Sequence, residues 1–387
     1  MQRKLVITML ADATAQQTRN AMYNRNALKL GLFASNCSSG RAATKVPERW
    51  DASWKNNREL ARTADAAGID FFLPIGRWKG YPGVTDFEGS TFETIAWACG
   101  LLGATERLTV FGTVHAPLVH PVYAAKQMVT ADHIGEGRFG LNIVCGWNED
   151  EFAMFGVDQL EHDARYEQGD EWISTISKIW EEDAPFDVDG SYMQLKGVRA
   201  NPKPYGGTRP LIMNAGSSAV GRAFGLRRCD FLFRPLRSIE QGTQDVAEAK
   251  AAAHAAGRDI GCFTAGYVVC RPTMREAEDY VRYYADEQGD WEAVDHLVTM
   301  GSRHTHGMMD PEVLRNMRIR FAAGHGGFPM VGTPDFVAGE LAKVSAAGFT
   351  GIAFSFVNYL AEFPYFRDEV LPRLERLGIR EPLGTIG

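Results

Sequence analysis

The sequence lacks the features that would place the protein in a membrane or on a polyanion. It has no apolar run approaching the roughly 20 residues that a membrane-spanning helix requires. Its formal net charge of −7 has the wrong sign for a general binder of nucleic acids or anionic membranes. With 45% hydrophobic and 23% charged residues, the composition is that of an ordinary globular protein.

Neither a disulfide framework nor a secretory signal is indicated. The six cysteines are scattered without a C-x-x-C pair and lie mostly in apolar segments, which is typical of free buried thiols. The N-terminal stretch MQRKLVITMLADATA begins with basic residues. Its apolar part, residues 5–10, is shorter than the roughly 7–15 residues of a signal peptide. We therefore expect a cytoplasmic protein.

Several catalytic signatures are missing or misplaced. No G-x-S-x-G elbow is present, and Cys145 has no assignable histidine partner, so a core thiol explains it better. GEGRFG (residues 135–140) follows a helical pattern and opens a strand, the reverse of a dinucleotide fingerprint. The pair His304 and His306 falls in a polar insertion, whereas barrel metal ligands stand at strand ends. We expect no metal, with a metal hydrolase as the remaining alternative.

The sequence does contain a regular alternation of short apolar runs and helical patterns. Helical spacing predicts helices at residues 54–67, 122–134 and 162–182. The apolar runs predict eight strands, at residues 28–35, 69–74, 108–113, 139–145, 210–214, 229–234, 263–270 and 351–357. Apolar strands that are each followed by a helix indicate a parallel sheet covered by helices. Eight such units favour an α/β fold of the (β/α)₈ TIM barrel type, with an open doubly wound sheet as the alternative.

The expected domain organisation is a single barrel over residues 28–387, preceded by an N-terminal extension of residues 1–27. Within the barrel, residues 186–204 are expected to form a β-hairpin insertion with a proline-rich exit. Residues 286–330 interrupt the strand–helix rhythm and predict a helical insertion, either a lid over the site or a structural excursion.

Polar groups mark the predicted strand ends, where a barrel carries its active site. Asn142 lies inside the apolar run FGLNIVC, where an amide costs free energy unless something pairs with it. The segment NAGSSAVG offers free backbone N–H groups, hydroxyls and the positive end of a helix dipole to an anion, although a serine N-cap is an alternative explanation. Such groups, without an evident nucleophile, indicate a bound phosphorylated cofactor.

Four motifs carry a family resemblance: GRFGLNIVCGWNEDEF, LEHDARYEQGDEWI, ANPKP and NAGSSAVGRAF. Their order and spacing resemble the bacterial luciferase-like flavin-dependent monooxygenases, nearest the subgroup of the pyrimidine oxygenase and the dimethylsulfone and alkanesulfonate monooxygenases. The resemblance covers about residues 28–377. It implies reduced FMN (FMNH2) from a separate NAD(P)H-dependent flavin reductase, O2 as co-substrate activated as a flavin peroxide, and a homodimer or higher homo-oligomer.

The resemblance also implies residue roles. Asn142 and Thr113 would face the flavin N5 edge and the oxygen, and His115 is a weaker candidate for proton transfer. The residues implied for cofactor binding are Gly76, Arg77, Asn142, Glu151, Arg165, Tyr166, Gly216, Ser217 and Ser218. Those implied for the substrate side are Asn36, Cys37, Trp78 and Trp147.

The substrate is less defined than the cofactor, because the loops after the first three strands differ from those expected for uracil or sulfones. A sulfonate would need an arginine cluster, and only Arg77 and Arg234 stand at strand ends. We therefore expect a neutral N-heterocycle or amide, with an organosulfur compound as a second possibility. Two alternative functions fit the same fold: a deazaflavin-dependent dehydrogenase and a non-catalytic flavin-binding protein.

Overall fold

The computed structural model describes residues 20–301 and 310–382. All eight expected strands are present. In chain order the strands are β1 (Lys29–Phe33), β2 (Phe71–Leu73), β3 (Thr109–His115), β4 (Phe139–Val144), β5 (Phe186–Asp189), β6 (Gln194–Val198), β7 (Leu211–Asn214), β8 (Phe231–Phe233), β9 (Gly261–Cys270), β10 (Phe328–Gly332) and β11 (Gly351–Ser355).

The sheet closes into a barrel. Parallel pairs run from β1 through β2, β3, β4, β7, β8, β9 and β11, and β11 pairs back to β1. This closure confirms the predicted (β/α)₈ barrel and excludes the open doubly wound sheet. Because all strands are parallel, their carboxyl ends meet at one mouth.

Helices cover the outside of the barrel. Their bounds are α1 (Trp54–Ala66), α2 (Thr94–Leu102), α3 (Pro121–Ile134), α4 (Glu149–Met154), α5 (His162–Glu181), α6 (Ala219–Arg228), α7 (Ile239–Ala255), α8 (Met274–Val281), α9 (Trp291–Gly301), α10 (Pro311–Gly324), α11 (Pro334–Ala346), α12 (Tyr359–Glu369) and α13 (Leu371–Arg376). A π-helical stretch, Arg282–Glu287, continues α8. The three helices expected from the sequence are confirmed to within one residue at each end, as α1, α3 and α5.

The barrel interior is filled with large apolar side chains from alternate strand positions, as expected for a packed core rather than a channel. Phe71 lies 5.4 Å from Phe263 and 6.0 Å from Phe111, measured between ring centroids. Met22, from the segment before β1, packs into the same cluster. Asn20 holds that segment in place by donating to the Gly137 carbonyl and accepting from the Thr109 hydroxyl. The N-terminal segment therefore closes the end of the barrel opposite the mouth.

Two segments depart from a bare barrel. Strands β5 and β6 form an antiparallel hairpin within residues 186–204. Residues 286–330 contain α9 and α10 and end in β10, a ninth strand paired in parallel with the second half of β9. This strand was not among the eight expected because it carries Pro329 and follows two glycines. Residues 304–306, with the histidine pair, and residues 1–19 lie outside the described residues.

No helix in the described part of the chain is long and apolar enough to cross a lipid bilayer.

Candidate active site

Thr113 and Asn142 lie side by side at the mouth, because β3 and β4 pair in register at these two positions. The Thr113 hydroxyl donates to the Pro74 carbonyl at 2.8 Å, so its oxygen accepts a hydrogen bond from the Asn142 side chain at 3.2 Å. The amide of Asn142 must therefore turn its NH₂ toward Thr113. Its oxygen, Oδ1, is buried and has no hydrogen-bond partner. Asn142 thus presents one unsatisfied acceptor.

His115, two residues beyond Thr113, is buried at the same rim. Burial, with the nearby Arg77 cation, lowers the pKa of His115 to about 4, although Glu151 opposes the shift. The imidazole is therefore neutral at pH 7, with Nε2 3.9 Å from the Glu151 carboxylate. A Cβ at Gly76 would lie 2.9 Å from the His115 ring and 3.0 Å from the Thr113 methyl group, so only glycine allows this approach.

Arg77, which follows β2, is buried among acidic and aromatic groups. Its guanidinium contacts Glu151 at 3.2 Å and Glu88 at 3.4 Å. It also lies over the rings of Tyr81, at 4.9 Å, and Trp147, at 5.1 Å. Burial alone would lower the pKa of Arg77, but the two carboxylates raise it above its ordinary value. Arg77 is therefore a neutralised cation rather than a free anion-binding group.

Glu88, Arg41 and His325 complete the surroundings of Arg77, and none of them was expected from the sequence. Glu88 accepts from Arg41 at 3.4 Å and contacts His325 Nδ1 at 3.1 Å. Burial would raise the pKa of Glu88, but His325, Arg77 and Arg41 lower it to about 2. No local motif marks these residues, because His325 is 237 positions from Glu88.

Aromatic side chains line the rim beside Arg77. Trp78 and Trp147 are 41% and 45% exposed, so both are available to a ligand. Trp78 packs edge-on against Phe155 with 5.0 Å between ring centroids. The backbone N–H of Trp78 donates to Glu151 at 2.9 Å, which ties this rim to α4.

Asn36 and Cys37, expected on the substrate side, are fully buried and bonded to backbone. The Asn36 amide donates to the Ile75 carbonyl at 2.8 Å and accepts from the Ile75 N–H at 3.0 Å. The Cys37 thiol lies against the Ala34 and Gly40 carbonyls. In this arrangement both residues shape the loop after β1, and their polar groups are already in use.

The turn between β7 and α6 forms a cradle. Ser218 caps α6 by accepting from the Gly221 N–H at 3.0 Å, and it is also hydrogen-bonded to Tyr166. A Cβ at Gly216 or Gly221 would lie 2.9 or 2.6 Å from the Tyr166 hydroxyl, so glycine is required for this close packing. Ala219 and Val220 are the first two residues of α6, so their N–H groups have no acceptor within the helix and can bind an anion.

Arg165, at the start of α5, is a second group suited to binding an anion. Its Nη1 donates to the Gly146 carbonyl at 2.6 Å, while its Nε is buried without a partner. Together, the unpaired groups of Asn142 and Arg165 and the cradle at Gly216–Ser218 fit a planar cofactor that carries a phosphate. Within the described residues, no group of three or more His, Cys, Asp or Glu side chains is arranged to hold a metal ion.

Arg234, the other strand-end arginine, follows β8 and is buried. Two of its guanidinium nitrogens, Nε and Nη1, have no hydrogen-bond partner among the described residues.

The chain is similar to known proteins over most of its length. The family model for luciferase-like monooxygenases matches residues 28–351. An FMNH2-dependent dimethylsulfone monooxygenase from Pseudomonas fluorescens is 30% identical over 360 residues, covering 92% of this chain and 96% of the relative. A pyrimidine monooxygenase, RutA, from Enterobacter cloacae is 25% identical over 355 residues, covering 90% of this chain and 96% of the relative.

A solved structure shares the fold. The crystal structure of DmoA from Hyphomicrobium sulfonivorans superposes with a TM-score of 0.81 at 22% identity, covering 91% of this chain and 88% of that one. Since the family model spans most of the chain and the fold agrees, the chain belongs to the luciferase-like monooxygenase family.

Proposed function

We propose that the protein is a two-component monooxygenase that uses reduced FMN and O2 to oxygenate a small neutral organic substrate. A separate NAD(P)H-dependent flavin reductase would deliver the reduced FMN. When bound, reduced FMN supplies the electrons that activate O2. The chain itself then has to bind and orient the flavin, exclude water and place the substrate. The names of the dimethylsulfone and pyrimidine monooxygenase relatives support this reaction class.

The observation that carries the proposal is the unpaired Oδ1 of Asn142. An unsatisfied buried acceptor costs about 1–3 kcal/mol, so a donor is needed there. Reduced flavin carries a hydrogen on N5, whereas N5 of oxidised flavin is itself an acceptor. Asn142 therefore favours the reduced form. Thr113 holds the amide in this orientation, and neutral His115 is placed to exchange a proton near the same rim.

The phosphate would be held by the cradle at Gly216, Ser217 and Ser218 with Tyr166. Arg165 adds a charged donor, because its buried Nε lacks a partner. Charge-assisted hydrogen bonds to phosphate are about twice as strong as neutral ones. Gly76, Arg77 and Glu151 would flank the flavin ring on the β2 side.

We infer a neutral substrate because Arg77 is already paired with Glu88 and Glu151. A sulfonate would have to rely on Arg234 alone. A neutral N-heterocycle or amide is the first choice and a neutral organosulfur compound the second. Trp78 and Trp147 would contact it, while Asn36 and Cys37 would shape the loop beneath it.

The proposal also covers the insertion, the domain organisation, the oligomeric state and the compartment. The insertion at residues 286–330 would form one wall of the site, because His325 contacts Glu88. We propose a single barrel domain after the N-terminal extension, working as a homo-oligomer in the cytoplasm. The six unpaired cysteines support that compartment.

The test is product analysis with purified protein, FMN, a flavin reductase, NADH and ¹⁸O2. The substrate panel contains a pyrimidine, a simple amide, dimethyl sulfone and methanesulfonate. We expect ¹⁸O in the product of one neutral substrate and none from methanesulfonate. The Asn142→Leu variant, similar in volume but without an acceptor, should form at least tenfold less labelled product.

Two results would contradict the proposal. Hydride transfer to or from a deazaflavin without oxygen uptake would assign the protein to the dehydrogenases. Flavin binding without any turnover, unchanged in Asn142→Leu except for flavin affinity, would favour a non-catalytic flavin-binding protein.

A further inference from the structure

Glu88 is a fully buried carboxylate that joins three separate segments of the chain. One oxygen, Oε1, contacts Arg41 from the loop after β1 and His325 at the end of α10. The other, Oε2, contacts Nε and Nη2 of Arg77, both at 3.4 Å. Every polar contact of this side chain is to a basic group, which is the pairing that a fully buried carboxylate requires.

The backbone of Glu88 supports a specific role for its side chain. Its φ of +54° lies in the left-handed region, where a residue other than glycine is strained by roughly 1–2 kcal/mol. Glycine would adopt this conformation without that strain. The ion pairs of the carboxylate with Arg41 and Arg77 offset this strain.

The charges around Glu88 balance. Arg41 and Arg77 are cations, and Glu88 and Glu151 are anions. Burial lowers the pKa of His325 to about 4, with the Arg41 cation adding to the shift, so the ring is neutral at pH 7. We call these five residues the Glu88 cluster. At neutral pH the cluster presents no net charge to the barrel mouth.

Both cations of the cluster face the mouth. Arg77 lies over the exposed ring of Trp147, and Arg41 lies 4.6 Å from the ring of Phe33, which packs against the barrel interior. Without Glu88, one positive charge would remain at the rim in a medium of low dielectric, where its field is strong. The cluster thus controls the electrostatic potential at the place where the flavin ring is proposed to lie.

We propose that Glu88 is a positioning residue that fixes the Arg77 guanidinium and cancels its charge, and thereby sets the relative affinity of the site for reduced and oxidised FMN. The inference rests on the proposed function, which places Arg77 beside the flavin. Reduced FMN is largely anionic in its ring at neutral pH, whereas the ring of oxidised FMN is neutral. A cancelled charge keeps the reduced flavin from being held so tightly that it becomes a poor electron donor to O2.

The test compares dissociation constants of oxidised and reduced FMN, the latter under anaerobic conditions at pH 7.5. The proteins are the wild type, Glu88→Gln, Arg41→Gln and the double variant. We expect Glu88→Gln to raise the preference for reduced over oxidised FMN at least threefold, because one cation is then uncancelled. Arg41→Gln should lower the preference by a similar factor, and the double variant should return close to the wild-type value.

The matched control is Glu340→Gln, which removes a carboxylate paired with an exposed lysine on α11 and should leave the preference unchanged. A merely structural Glu88 would weaken both redox forms equally and give no opposite sign between the two single variants. That result would overturn the inference. If Glu88→Gln does not fold, Arg41→Gln alone decides through the direction of its shift. A wild type that binds neither form of FMN would instead refute the proposed function.

Discussion

Arg77 and Arg165 are two arginines at the barrel mouth with contrasting surroundings. Arg77 is buried between two aromatic rings and bonded to two carboxylates. Arg165 is partly buried and donates to a single carbonyl, and its Nε has no partner. One guanidinium has its hydrogen-bonding capacity satisfied within the protein, and the other retains capacity for a ligand.

The two arginines differ in what surrounds each guanidinium in the folded chain. A buried cation with carboxylate partners contributes to the fold and to the local potential, and removing one member leaves an uncompensated charge. A cation with a buried, unpaired N–H donor can still form a hydrogen bond to a ligand. Arg77 follows a strand and Arg165 opens a helix, and of these two only Arg165 keeps a buried donor that a phosphate would accept from.

The largest expected effect is on stability at Arg77. Replacing Arg77 with methionine leaves Glu88 and Glu151 buried without their shared cation, so we expect a loss of about 3–5 kcal/mol in unfolding free energy. Urea denaturation of the FMN-free protein measures it. Arg165→Met should lose less than about 1 kcal/mol in the same experiment. Equal losses of unfolding free energy in the two variants would contradict the conclusion that Arg77 is paired within the fold and Arg165 is not.

The next effect concerns FMN binding at Arg165. Arg165→Met removes a charged donor worth about 1.5–3 kcal/mol to a bound phosphate, so the dissociation constant should rise roughly 10–100-fold. Arg227→Met is the control, because Arg227 pairs with Asp170 at an exposed position. Fluorescence titration with FMN and with riboflavin separates the phosphate contribution. A similar loss for riboflavin would show that Arg165 does not contact the phosphate.

The smallest expected effect is the loss of unfolding free energy at acid pH that comes from His115 and His325, the two buried histidines near Arg77. The pKa values of His115 and His325 are lowered to about 4, against about 6.5 in an unfolded chain. As the pH falls from 6.5 to 4, the unfolded chain takes up protons that the folded chain does not. Stability that is complete above pH 6.5 is therefore lost over this range. Glu88, with a pKa of about 2, adds a further loss only below pH 4.5.

His115→Gln and His325→Gln should each reduce this loss by roughly 1–3 kcal/mol, following 1.36 kcal/mol per pKa unit. The unfolding free energy measured at pH 7 and at pH 5 provides the comparison. His254→Gln, which replaces an exposed histidine in the last turn of α7, is the matched control. An unchanged profile in both buried variants would contradict the assignment of acid sensitivity to the Arg77 side.

Much of the fold could be predicted because it follows from local patterns. The eight barrel strands appear as apolar runs, and α5 appears as a stripe of buried residues at helical spacing. Strand β10 was not predicted, since it contains a proline and its pairing with β9 depends on a neighbour distant in sequence.

The site was predictable only in part. Asn142 could be recognised because an amide in an apolar run needs a partner, and the serine cradle because it follows a strand. Arg77 and Glu151 were expected near the cofactor, but their association with Glu88, Arg41 and His325 could not be recognised, since the five residues come from four segments of the chain. The cluster pairs Arg77 with two carboxylates, which its position after a strand does not reveal.

Local sequence specifies the periodicity, the alternation of strands and helices, and the polar groups at strand ends. These properties depend on neighbours a few positions apart, where residue type sets the backbone preference and the buried face. Which of those polar groups have hydrogen-bond partners depends on the folded chain. That outcome depends on distances between residues such as Glu88 and His325, which closure of the barrel brings together. Hydrogen bonds and ion pairs act over a few ångströms in space, whatever the separation along the chain.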